Sequence, residues 1–136
     1  MANLSKSKYI TYCQCPKALW LKQYKPEEMV IDPLTQARFD AGTEVGELAK
    51  RLFGDFVEAT TYKTAADGTQ RLDLGAMAAA TQKALAEGAE NIAEAAFIYD
   101  GCYCAVDLLH KTPHGYAIYE VKSSTDLKEL EVYAQD

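Results

Sequence analysis

The sequence predicts an α/β domain from three observations. Residues 101–125, GCYCAVDLLHKTPHGYAIYEVKSST, hold two apolar-rich runs, Cys102 to Leu109 and Tyr116 to Val121, around Pro113 and Gly115, the pattern of a β-hairpin. Apolar residues recur at helical spacing over Thr35 to Phe53 and Leu74 to Ala86. Asn91 to Tyr99, NIAEAAFIY, is a strand-like run that enters the hairpin through Asp100-Gly101. At 136 residues the chain fits one domain with a single core.

The opening stretch, LSKSKYITYCQCPKALWLKQYKP, reads as one or two short helices. Ser5 or Ser7 is a candidate cap, and Tyr9, Tyr12, Leu19 and Trp20 supply apolar surface. Pro16 is tolerated only in a first helical turn, so a new helix is expected from about Cys15 to Tyr24. Pro26 and Pro33 bracket a linker, Glu27 to Asp32. The Thr35 to Phe53 helix places Phe39, Thr43, Gly46, Ala49 and Phe53 on one side, with Asp40, Glu44 and Glu47 at i, i+4 and i+7. A solvated acidic stripe explains that spacing. Gly42 and Gly46, however, each cost about 1 kcal/mol relative to alanine inside a helix, which suggests close packing and would let Glu47 reach the hairpin.

Gly54 should end that helix, and DFVEATTY, residues 55–62, reads as a strand with Phe56 and Val57 partly buried. Asp67-Gly68 marks a turn. Leu74 to Ala86 is an alanine-rich packing helix with Leu74, Met77, Ala78, Thr81 and Leu85 as its stripe and Gly88 as its stop. Glu94 is an acid among apolar residues, either a further site carboxylate or, as the simpler explanation, exposed to solvent. Asp126 to Asp136 reads as the start of a helix with Leu127, Leu130 and Tyr133 on one face, the expectation for an N-terminal fragment of a longer protein.

The hairpin carries the chemistry. Side chains alternate across a strand, so Glu120 and Lys122 share a face while Val121 takes the other. With an even-length loop, Asp107 falls on the face of Glu120 and Lys122. Two carboxylates side by side suit a hard ion such as Mg2+, and a lysine beside them can hold a phosphate or orient an attacking water. A solvated sheet face with a cross-strand ion pair would contain the same residues, so both readings stand at this point.

Composition narrows the partners. No apolar run approaches the roughly 20 residues that span a bilayer, and the N-terminus lacks a signal-peptide core, so no membrane partner and a cytoplasmic location are expected. Four cysteines form two C-x-C pairs, Cys13/Cys15 and Cys102/Cys104, which suits reduced thiols or metal ligands better than a secreted disulfide framework. The net charge of −6 argues against a strongly basic nucleic-acid binder. Yet residues 1–25 contain Lys6, Lys8, Lys17, Lys22 and Lys25 with no acid, while everything from Pro26 onward carries a net −11. A basic N-terminal segment of this kind either tracks a phosphate backbone or is a solvated lysine face.

A helix with Gly42 to Glu47, a strand with Asp107, a strand with Glu120-Val121-Lys122 and a following helix, in that order, resemble the PD-(D/E)XK nuclease superfamily. More narrowly, the chain resembles its RecB-like branch, which includes CRISPR-associated iron-sulfur exonucleases. It also resembles an uncharacterised bacterial family opening with Q-C-P-K-x-L-W-L, here Gln14 to Leu21, to which VGELAKRLF (45–53) and EVKSST (120–125) are similar too. The resemblance implies a restriction-endonuclease-like α/β core, a mixed sheet of about four strands flanked by helices. It implies a Mg2+- or Mn2+-dependent deoxyribonuclease, in DNA repair or defence, with DNA as partner. Asp107 and Glu120 would ligate the metal with the Val121 carbonyl, Lys122 would be the active-site lysine and Glu47 the helix-borne acid. Lys6, Lys8, Lys17 and Lys22 would make nonspecific backbone contacts. Cys15 resembles the first ligand of an iron-sulfur cluster whose other cysteines would lie in a longer protein.

Two positions depart from that pattern. Gly46 stands where these nucleases often carry a histidine, and Tyr133-Ala134-Gln135-Asp136 does not match their Tyr-x-x-Gln, which would then fall beyond the chain's end. Cys102 and Cys104, on the hairpin face opposite Asp107, are expected as small buried hydrophobes, since C-x-C pairs lack the usual spacing of a zinc site. The rival expectation is a catalytically inactive nuclease-fold module that serves protein contacts.

Overall fold

A computed structural model describes residues 4–124, a mixed sheet flanked by helices. β1 (Leu4–Ser5), α1 (Lys6–Gln14), α2 (Pro16–Tyr24), a 3-10 turn (Pro26–Glu28) and α3 (Pro33–Ala49) lead to β2 (Val57–Glu58). A small hairpin of β3 (Tyr62–Thr64) and β4 (Gln70–Leu72) precedes α4 (Leu74–Ala86). Then come β5 (Asn91–Tyr99), β6 (Cys102–Thr112) and β7 (Gly115–Tyr119). The helix expected from Asp126 lies outside the described residues.

Helix starts follow the caps written into the sequence. Ser5 accepts from Lys8 N at 3.2 Å, Asp32 accepts from Leu34 N and Thr35 N, and Asp73 accepts from Ala76 N. Pro16 and Pro33 both sit in first turns. α3 stops at Ala49, short of the expected Phe53. The reason is a set of tertiary ties: Phe53 stacks on His110 with ring centroids 3.9 Å apart, and the buried Asn91 amide donates to Phe53 O and Asp55 O. Gly54, at φ 94, completes the turn toward β2. The DFVEATTY segment joins the main sheet at Val57 and Glu58, and its last residue, Tyr62, opens β3; β3 and β4, three exposed residues each, are not apparent in the sequence pattern.

β5 and β6 form the centre of the five-stranded sheet. They are joined by Asp100-Gly101, whose φ values of 46° and 73° give the tight two-residue turn that matches strand twist. β2 pairs parallel with β5, and β1 parallel with β6. β7 folds back on β6 through Pro113-His114, so the β6 strand runs to Thr112 and its partner stops at Tyr119 rather than Val121. α4 covers β5: Met77, Thr81 and Ala84 are buried with Ile92, Ala95, Val106 and Leu109. Thr81, expected as part of an apolar stripe, does polar work in that core. Its hydroxyl donates to Met77 O at 3.0 Å and accepts from Ala96 N at 2.8 Å, satisfying a strand amide.

Candidate functional site

One side of β6 is paired with β5 from Cys102 to His110. Its other side carries β1 at Cys102–Tyr103 and β7 from Leu108 to Thr112, which leaves the stretch from Cys104 to Asp107 without a ladder partner there among the described residues. The two registers fix what faces Asp107. Ala93↔Leu108 and Ala95↔Val106 put Glu94 opposite it on β5, and Leu108↔Tyr119 makes Glu120 the next position opposite it beyond β7. Three acids thus count into one row.

Glu94 has φ 54 in the middle of β5, and the pair with Asp107 is missing from an otherwise regular ladder. A left-handed glutamate inside a strand costs on the order of 1–3 kcal/mol, the kind of strain that clusters at functional sites. Glu94 and Asp107, both half-buried, line a cavity of about 570 Å³ with Glu47, Lys50 and Arg38 of the α3 region and with Val121 and Ser123. The two helix glycines border it. A Cβ on Gly42 would meet Ser123 Oγ at 3.7 Å, but one on Gly46 would meet nothing within 4 Å, so only Gly42 is near a neighbour and Gly46 opens on the cavity.

A second cavity, of about 550 Å³, shares Glu47, Lys50 and Glu94 with the first and continues to Glu58, Tyr62 and Tyr103. Lys50 Nζ lies 2.8 Å from both Glu47 Oε1 and Glu58 Oε2, tying α3 to β2. Burial alone would lower the Lys50 ammonium, but hydrogen bonds and charge from the two carboxylates outweigh it and hold it well above the usual lysine range. Burial raises Glu94, and the nearby Asp107 charge raises it further. Burial also raises Tyr103, with Glu94 adding to the shift.

The structure brings Asp107, Glu47 and Val121 to one cavity. Asp107 Oδ2 accepts from Val121 N at 2.6 Å, a side chain standing in for the ladder bond where β7 has ended. Glu120 and Lys122 are placed differently: Glu120 accepts from Lys6 Nζ at 3.0 Å and from Lys122 Nζ at 2.9 Å, and neither residue lines the cavity. Among the described residues, no group of three or more His, Cys, Asp or Glu side chains is disposed to hold a metal ion. The donor chemistry nevertheless fits a hard divalent cation, because Glu47, Glu94 and Asp107 offer only oxygen and the Glu94–Asp107 repulsion is what a cation would relieve.

Lys6 stands at the site through Glu120, whereas Lys8, Lys17 and Lys22 lie on α1 and α2 and make no ion pair among the described residues. Cys15 is exposed at the junction of α1 and α2, and all four cysteines are free. Cys102 corrects an expectation: it is exposed rather than buried, because it starts β6 at the rim of the sheet, while Cys104 is half-buried. Of Glu94, Lys50 and Glu58, only Glu94 stands in the sequence reading as a candidate site carboxylate, beside the simpler solvent-facing one, and Lys50 and Glu58 escape it. Counting outward from Asp100-Gly101 as a two-residue turn pairs 94 with 107, a signal that was available for Glu94. Among the described residues no helix is long and apolar enough to cross a membrane. No family model, no curated protein and no solved structure matches the chain.

Proposed function

We propose that the domain is a metal-dependent nuclease with a restriction-endonuclease-like core, hydrolysing DNA phosphodiester bonds with Mg2+ or Mn2+. The observation that carries this reading is the acid row: Glu94 faces Asp107 across β5 and β6, Glu120 is next in register, and α3 brings Glu47 to the same cavity. Asp107, the Val121 carbonyl and, once released from Lys6 and Lys122, Glu120 would hold the ion, with Glu47 as the acid from the helix. A divalent ion in such a site polarises the scissile phosphate and activates a water. Asp107 holds Val121 in place by accepting its N–H, which keeps the Glu120-Val121-Lys122 segment against the sheet edge. Lys122, once released from Glu120, would donate to a phosphate oxygen or to the attacking water and offset developing negative charge. Lys6, on the other side of Glu120, would take up the adjacent backbone phosphate.

Calorimetric titration of Mn2+, paired with cleavage of labelled DNA, tests this. Wild type should bind Mn2+ saturably and cut, and Asp107→Ala should lose both, with a drop in cleavage of roughly a hundredfold or more. Equal cleavage by the two proteins would sink the reading. One observation favours a second reading, an inactive module for protein contacts: Glu120 is already neutralised by Lys6 and Lys122. Absence of Mn2+ binding in the wild type would select it.

A further inference from the structure

We infer that α1 and α2 form a groove that grips an unpaired nucleic-acid strand by stacking its bases on Tyr12, Trp20 and Tyr24. Neither helix buries a single residue, and Tyr12, Trp20 and Tyr24 are 55%, 52% and 66% exposed. Lys8 and Tyr12 follow at i, i+4 on α1, and Lys17, Trp20 and Tyr24 at i, i+3 and i+7 on α2, so each helix presents cations and rings along one face. Lys8, Tyr12, Trp20 and Tyr24 line one cavity of about 520 Å³ that, among the described residues, no acidic side chain borders. Trp20 and Tyr24 lie with ring centroids 5.5 Å apart, a ready platform rather than a packed core pair.

Charge selects the occupant. The 25-residue segment holding the groove has five lysines and no acid in a chain of net −6, so a polyanion is drawn there and an acidic or neutral apolar surface has less to gain. Exposed rings beside lysines are what an unpaired strand uses, since every base offers a π-face and every nucleotide a phosphate. Bases inside a duplex cannot reach the rings. Lys6, the first residue of α1, pairs with Glu120, so a strand lying along α1 leads to the acid row. Binding there needs neither metal nor cleavage, so it stands apart from the nuclease reading.

Trp20 is the single tryptophan of the chain, which makes its fluorescence the direct readout. Oligothymidylate of about twelve nucleotides, within the span one such platform covers, is titrated into the full chain in EDTA. Saturable quenching is expected, with a duplex of equal length binding at least about tenfold more weakly. Trp20→Ala and Tyr24→Ala, followed by anisotropy of labelled oligothymidylate, should each bind about tenfold more weakly, while Trp20→Phe stays within about threefold. Lys8→Gln should flatten the salt dependence by about 0.7 in log–log slope. Folding of each variant is checked by circular dichroism, and the exposed Tyr24 position serves if Trp20→Ala does not fold.

Several results would overturn the groove: no binding, binding without quenching, a duplex bound as tightly as the single strand, or Trp20 emission that changes with protein concentration alone, which would put a second copy on the rings. Asp107→Ala should quench like wild type. Quenching without cleavage in the wild type would therefore keep the groove and remove the nuclease reading, and cleavage with no quenching would do the reverse.

Discussion

α4 and α3 each lead toward a strand of the same sheet, yet they relate to it in opposite ways. α4 buries Met77, Thr81 and Ala84 against β5, its alanines letting helix and strand approach closely. α3 is longer, 17 residues against 13, and buries none of them. Leu48 is 76% exposed and Phe39 55% exposed, and the helix is attached through Lys50 to Glu58 and through the Phe53–His110 stack at its end. A cavity fills the space that packing would have closed. Stability and chemistry are thus divided between the two helices: the one that packs gives the cavities only the apolar Met77, and the one that stands off brings Glu47 to the acid row.

The largest effect that would test this division is in the core. Ile92→Ala should cost about 2–5 kcal/mol in denaturant unfolding, because the fully buried side chain leaves a cavity, whereas Leu48→Ala on α3 should stay within about 0.5 kcal/mol. Equal losses would show that α3 is packed after all. Next is Thr81→Val, expected to cost about 1–3 kcal/mol by leaving Ala96 N–H without an acceptor, read in the same unfolding experiment.

Lys50→Met sharpens the comparison from the other side. At neutral pH it should cost about 1 kcal/mol, since the Lys50 side chain is only 12% exposed but its partners are wetter. Because Lys50 is raised in the folded chain, its contribution is complete below the ordinary lysine pKa and fades as pH climbs through the folded value. The two proteins' melting temperatures should therefore converge in strong alkali, and a gap that persists there would assign the loss to packing.

The smallest effect has the opposite sign. Glu94 is raised by burial and by Asp107, so the folded chain holds its proton longer than the unfolded one and stability falls as pH rises through the carboxylate range. Glu94→Gln should melt slightly higher than wild type at neutral pH, with the difference vanishing below pH of about 4. A variant that melts lower at every pH would mean that Glu94 makes a favourable contact through its charge.

α4 and β5 matched the sequence to the residue, because apolar patterning marked both and Gly88 marked the end of α4. Asp107 was legible for a similar reason, as a charge in a run that otherwise wants burial. What the sequence hid depends on contacts far along the chain. α3 continues helically in its own pattern, but Phe53 is drawn off by His110 and Asn91, nearly sixty and forty residues away. β3 and β4 are too short and exposed to alternate visibly. Glu120 and Lys122 share a side, as strand parity requires, but Lys6 lies 114 positions upstream of Glu120 and no local pattern could show it as the competing partner.

Asp100-Gly101 and Pro113-His114, the two connections flanking β6, lie at the surface, where chains ordinarily accept insertions and deletions freely. Here they act as rulers. A residue added next to the first, with the two-residue turn kept, would slip the register, moving Glu94 out of line with Asp107 and onto the other face of β5, and one added next to the second would do the same to Glu120. Their amino acids can drift within what the turn geometry allows, but a change of length spares the row only where a longer loop absorbs it, so the most exposed tips of the sheet still set its register.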